Sequence, residues 1–190
     1  MIIALGMVLL AAVATASAEL SSLLSMDASQ VLSGEVWRLI SGHVTHLTWR
    51  HYLWDAPVFV LLFTVYERKD GAMPATMLAL CSSVAVSLTV VMAGAHQVYG
   101  GLSGLSSAAL SAILTSLIVQ RQQRLVACGI GLAFGAYLLF SDGGISGVRI
   151  AGEAHAAGAV TGMIFAVTLH CLRYQRSRTV EPLLENGLKS

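Results

Sequence analysis

Three long stretches of this sequence contain no charged side chain: Met1 to Ala18, Gly71 to Gly94 and Gly101 to Gln120. A helix needs roughly 20 mostly apolar residues to cross a hydrocarbon core about 30 Å thick. Inside that core every backbone N–H and C=O must find its partner within the protein. Runs of this length and polarity therefore restrict the chain to membrane-spanning helices packed side by side. The composition agrees, with 56% hydrophobic and 11% charged residues, where soluble domains carry about 25% charged residues. Eleven basic residues against ten acidic ones leave +1, which offers no basic surface for nucleic acid. Cys81, Cys128 and Cys171 stand singly in apolar runs, so the sequence holds neither a disulfide framework nor a CxxC metal knuckle.

Six spans are predicted. They are Met1–Ala18, His51–Tyr66 (ending before Glu67-Arg68-Lys69-Asp70), Gly71–Gly94, Gly101–Gln120, Leu125–Ser141 and Ala151–Leu172. The expected fold class is all-α: a polytopic membrane protein with a six-transmembrane-helix bundle over residues 1–172 and a cytoplasmic polar tail over 173–190. The first span ends in Ala16-Ser17-Ala18, which has the look of a signal-peptidase site, but the charged n-region of a signal peptide is missing. An uncleaved first helix is the expectation. Arg68, Lys69, Arg121, Arg124, Arg173, Arg176, Arg178 and Lys189 fall on one side of these spans, and Arg38, Arg50 and Arg149 on the other. Eight against three puts both termini in the cytoplasm.

An ionisable group inside a span costs several kcal/mol unless paired or hydrated, so each is a functional candidate. The second span opens with His51 and Asp55, four apart and on one face. The sixth opens with Glu153 and His155. Glycines flank Ser103 at the mouth of the fourth span, where free N–H groups and the helix dipole favour a developing negative charge. Ala151, His155, Gly158 and Gly162 share one face of the sixth helix; Gly104, Ala108, Ser111 and Thr115 share one face of the fourth. Two such faces can approach backbone to backbone, bringing a serine near a histidine. A hydrogen-bonded serine and histidine make a nucleophile and its general base. The plainer reading is close helix packing by small residues and a buried histidine bonded to a backbone carbonyl.

Three blocks of residues resemble the rhomboid family of intramembrane serine proteases. Trp37-Arg38 followed by His46, His51 and position 55 resembles that family's W-R…H-x-x-x-x-H-x-x-x-N stretch, and Glu67-Arg68-Lys69-Asp70-Gly71 its exit from the second helix. Gly101-Leu102-Ser103-Gly104 with Ala108 matches G-x-S-G-x-x-x-A/G. Ala154-His155-Ala156-Ala157-Gly158 with Gly162 matches A-H-x-x-G-x-x-x-G. The resemblance implies a catalytic dyad of Ser103 and His155, with His51 and position 55 on the oxyanion side. It implies a single-pass membrane protein as substrate and the lipid bilayer as surroundings, without metal, nucleotide or other cofactor. The implied home is a bacterial inner (plasma) membrane, with the active site opening outward. Trp37, Arg38 and Trp49 are expected to anchor an interfacial first loop.

Two positions depart from the pattern. Asp55 stands where the family has asparagine, and Ser107 where many members have tyrosine. If Asp55 were protonated it would donate as the amide does, and Asp55→Asn would keep or raise activity. The compact core resembles the rhombosortase branch, whose members are proposed to process C-terminal Gly-Gly sorting signals. Two other readings compete: a catalytically inactive rhomboid-like protein that escorts client helices, and a metal protein using His43, His46, His51 and Asp55.

Overall fold

The computed structural model describes the backbone of residues 2–94, 98–140 and 152–187, and the side chains of those segments except 137–140 and 179–187. Met1, Ser141, Arg149, Ala151 and Lys189 lie outside the described residues. The chain opens with α1 (Ile2–Ala16) and α2 (Ala18–Leu24), whose axes differ by 117°. Ser17 caps α2, its hydroxyl accepting from the Leu20 N–H at 3.3 Å. The first apolar run forms α1, and the chain turns sharply at the end of that run.

A short strand β1 (Met26–Asp27) leads into α3 (Ala28–Leu32), α4 (Arg38–Ser41) and a 3-10 turn at Gly42–Val44. Then come α5 (Trp49–Asp70), α6 (Ala72–Ala93), β2 (Val98–Tyr99), α7 (Ser103–Val119), α8 (Arg124–Phe140) and α9 (Gly152–Gly187). Thr48 caps α5 by accepting from the His51 N–H at 3.1 Å. The two strands pair antiparallel, Met26 opposite Tyr99 and Asp27 opposite Val98. That pairing ties the first connection to the entrance of α7. α9 does not stop at Leu172 but carries on to Gly187, through most of the polar tail.

The described residues are all-α apart from this strand pair, and α6 and α9 (over Gly152–Arg178) are each long and apolar enough to cross a membrane. The bent α1–α2 pair makes a third if counted as one span, and α7 and α8 are shorter apolar helices. α5 is as long as α6, but it holds Asp55 within its first turns and Glu67–Asp70 at its end. Large apolar side chains cover the outside, among them Leu61, Met73, Leu132 and Ile164, each more than 60% exposed. Such a surface suits lipid rather than water. The chain is a membrane protein.

Inside, Phe59, Phe63 and Tyr66 recur at helical spacing along α5 and are fully buried, the two phenylalanine rings stacked at 4.3 Å. They meet Ala4 and Ala11 of α1, Leu78 of α6 and Leu105 and Ala109 of α7. The Tyr52 hydroxyl donates to the Val8 carbonyl at 3.2 Å and fastens α5 to α1. Arg38 corrects the expectation of an interface anchor. It is buried, donating through Nη1 to the Ser22 and Ser25 carbonyls at 2.8 and 2.7 Å and through Nε to Glu35 at 2.6 Å. Its guanidinium ends the α2 turn and folds the first connection on itself. Trp37 and Trp49 remain about half exposed.

Candidate active site

The site is built on the packing of α7 against α9. A Cβ on Gly158 would stand 2.0 Å from the Gly104 carbonyl oxygen, and one on Gly162 would stand 2.1 Å from that of Ala108. The two helices touch backbone to backbone, as their small faces predict. The Ser111 hydroxyl bridges them at 2.7 Å from the Ala159 carbonyl. Position 158 meets 104 and position 162 meets 108, so the helices run parallel. One turn earlier on α9 lies His155, level with the entrance of α7 at Gly101–Ser103.

Ser103 is the first residue of α7 and is half-buried. Ser106 and Ser107, further into the helix, give their hydroxyls to the Leu102 and Ser103 carbonyls at 3.1 and 3.0 Å. His155 is also half-buried, and its Nδ1 has no hydrogen-bond partner among the described residues. The charged or chargeable groups acting on it are Asp55, His51 and Glu153. The helix register places Ser103 and His155 at the same end of α7 and α9, but no hydrogen bond joins them among the described contacts. Unliganded sites often tighten only when substrate binds.

α5 supplies the third wall. His51 Nε2 lies 3.2 Å from Asp55 Oδ2, the i,i+4 contact expected from their spacing. The same oxygen accepts the Leu102 N–H at 3.1 Å, so α5 is joined to the residue preceding Ser103. His46 Nε2 lies 3.3 Å from it, off line for a hydrogen bond. Three of the four residues weighed as metal ligands, His46, His51 and Asp55, therefore converge. His43 does not join them. It is enclosed between the Ser83 carbonyl and Ser87 hydroxyl at Nε2 (3.0 and 3.1 Å) and the Gly101 carbonyl at Nδ1 (3.3 Å). Burial pushes its imidazole down to about 4. Among the described residues no group of three His, Cys, Asp or Glu side chains is arranged to hold a metal ion.

Tyr99 was not legible as a site residue. It is buried beside the mouth, its hydroxyl 3.2 Å from where a Cβ on Gly104 would stand. It packs with Met26, Val86 and Ala154, the residue before His155. Burial pushes the phenol above its ordinary range, and the charges of Asp55 and Glu153 act the same way. An aromatic just ahead of Gly100-Gly101 is the one signal that could have marked it.

These features define an all-helical membrane protein with a serine, three imidazoles and a carboxylate gathered at one end. A rhomboid-domain family model matches residues 33–171, most of the chain. The chain belongs to the rhomboid family, whose members are usually intramembrane serine proteases. No curated protein shows significant similarity to it.

Proposed function

We propose that this protein is an intramembrane serine endopeptidase working through Ser103 and His155. The observation that carries the reading is the parallel backbone contact of α7 and α9 at Gly104–Gly158 and Ala108–Gly162. That register leaves little freedom in where the mouth of α7 stands relative to His155.

Ser103 Oγ attacks the carbonyl of the scissile peptide while His155 takes its proton. The tetrahedral oxyanion forms at the N-terminus of α7, where the Ser103 N–H points at it and His51 stands on the far wall. His155 then gives its proton to the leaving amine. Water, deprotonated by the same imidazole, releases the acyl group from Ser103. The substrate is a single-pass membrane protein, and the site opens to the outer side of a bacterial inner membrane crossed six times, with both termini in the cytoplasm. We place the protein in the rhombosortase branch on the same grounds of compactness, with C-terminal Gly-Gly sorting signals as the substrates to try first.

The test is cleavage of such a substrate in liposomes by wild type, Ser103→Ala and His155→Ala, with the product termini read by mass spectrometry. Both variants should lose cleavage, a fall of at least roughly a thousandfold, while staying inserted and folded. Full activity in Ser103→Ala would overturn the Ser103 assignment, and no cleavage by wild type would leave the inactive, client-binding reading as the better one.

A further inference from the structure

Asp55 stands where its family has an amide, and its surroundings are those of an acceptor. Its Oδ2 lies 3.1 Å from the Leu102 nitrogen, 3.2 Å from His51 Nε2 and 3.3 Å from His46 Nε2. A backbone N–H can only donate, and an ionised carboxylate can only accept. Three nitrogens within 3.3 Å of one oxygen, one of them a backbone N–H donating to it, call for an acceptor at that atom rather than an O–H offered to an oxyanion. Gly101 makes the approach possible. Its φ is +139°, and a Cβ there would stand 3.0 Å from both Asp55 Oδ2 and His51 Cε1, so only glycine meets both the backbone conformation and the space.

His46 strengthens the case. Its side chain is fully enclosed, edge-on to His51 at 5.1 Å and to Tyr52 at 5.3 Å. Neither ring nitrogen makes an in-line hydrogen bond among the described residues, and the Asp55 carboxylate lies 3.3 Å away. Placing the imidazole protons on Nε2 gives each a carboxylate to face. His51 Nδ1 then remains the nitrogen without a partner among the described residues.

We propose that Asp55 is a positioning residue: an ionised acceptor that anchors the Leu102 N–H at the mouth of α7 and holds His46 and His51 with their Nε2 protons turned toward it. Leu102 directly precedes Ser103, so the anchor fixes the turn from which the nucleophile's own N–H and hydroxyl project. The inference rests on Ser103 being the nucleophile. It reverses the expectation that Asp55→Asn keeps or raises activity.

The test needs no substrate. Full-length protein in detergent micelles is treated with a fluorophosphonate, and the rate of labelling at Ser103 is followed by mass spectrometry, with thermal unfolding alongside. Wild type should label at Ser103. Asp55→Asn, equal in size but neutral and with one of the two acceptor oxygens replaced by an NH2, should label roughly tenfold more slowly, and Asp55→Ala, with no acceptor, more slowly still. A merely space-filling role predicts that the asparagine is tolerated and only the alanine fails. His46→Phe keeps the ring packing and removes one partner, and should lose severalfold. Imidazole 15N shifts on wild type should place the His51 proton on Nε2, a readout that stands even if a variant does not fold. Labelling of Asp55→Asn at the wild-type rate, or a His51 proton on Nδ1, overturns the inference and leaves the nucleophile reading standing. No labelling of wild type at Ser103 overturns both.

Discussion

His43 illustrates how much a single buried side chain can fix. Its ring links the 3-10 turn to α6 through Ser83 and Ser87 and to the entrance of α7 through Gly101, with the Tyr99 ring edge-on at 5.6 Å. Burial holds its pKa at about 4 in the folded protein, against 6.5 for the ordinary imidazole. The lowering means that the unfolded chain binds a proton the native state refuses between those values. His43 therefore contributes its full stability above about pH 6.5, and loses it as the pH falls toward 4, by about 1.4 kcal/mol per pH unit within that window. Thermal unfolding in micelles at about pH 7.5 and pH 5 should show a larger drop for wild type than for His43→Gln, which keeps a neutral donor near Nε2. Equal drops would mean that His43 is not the group titrating.

At the scale of elements, the contact of α7 with α9 depends on missing side chains. Without a hydrophobic drive between helices in lipid, close van der Waals approach and hydrogen bonding hold such pairs together. Gly158→Ala would put a methyl group 2.0 Å from a backbone oxygen that no side-chain rotation can move. The helices must part, at a cost of about 3 kcal/mol or more, and Ser103 labelling should fall with the melting temperature. Gly129→Ala and Gly135→Ala in α8 make the control. A Cβ at either would meet nothing within 4 Å, so both should be neutral or stabilise by about 0.5–1 kcal/mol through helix propensity. A normal melting temperature for Gly158→Ala would refute the packing argument.

The same pair shows what a sequence can disclose. The small faces of α7 and α9 were readable because helical periodicity and residue size are local properties, and α6 and α7 begin and end within two residues of their apolar runs. The bend at Ser17 was not readable: hydropathy marks affinity for lipid, not direction, and neither Gly nor Pro stands at the break. Arg38 was misread because its acceptors are the backbone carbonyls of Ser22 and Ser25, which no side-chain pattern announces. Asp55 was recognised as a site residue, but its partner is the N–H of Leu102, 47 positions away. Whether it gives or takes a hydrogen bond depended on that distant amide. The pairing of Met26 with Tyr99 was equally hidden, since two residues are too short for any alternation to register.

Across the whole molecule the chemistry gathers at one end and the positive charge at the other. α5, α7 and α9 all begin at the mouth: Asp55 reaches Leu102 from near the start of α5, and His155 stands near the start of α9. At their far ends Arg173 of α9 donates through Nη1 to Asp70 Oδ1 at 2.6 Å and through Nη2 to the Asp70 carbonyl at 3.1 Å, beside Lys69 on the same carboxylate. Parallel α7 brings Arg121 and Arg124 to that end too. Basic residues near span ends are retained on the cytoplasmic side, so this end should face the cytoplasm and the serine mouth should open outward. A fluorescent protein fused after Ser190 should therefore glow in bacterial cells, and alkaline phosphatase at the same place should stay inactive, since it matures only outside the cytoplasm. Phosphatase placed in the connection before α5 should be active. Reversal of this pattern would put Ser103 on the cytoplasmic side and require a substrate whose scissile bond is reached from within. Replacing Arg121, Arg124 and Arg173 together should weaken the bias, because orientation is set by the sum of such charges rather than by any one contact.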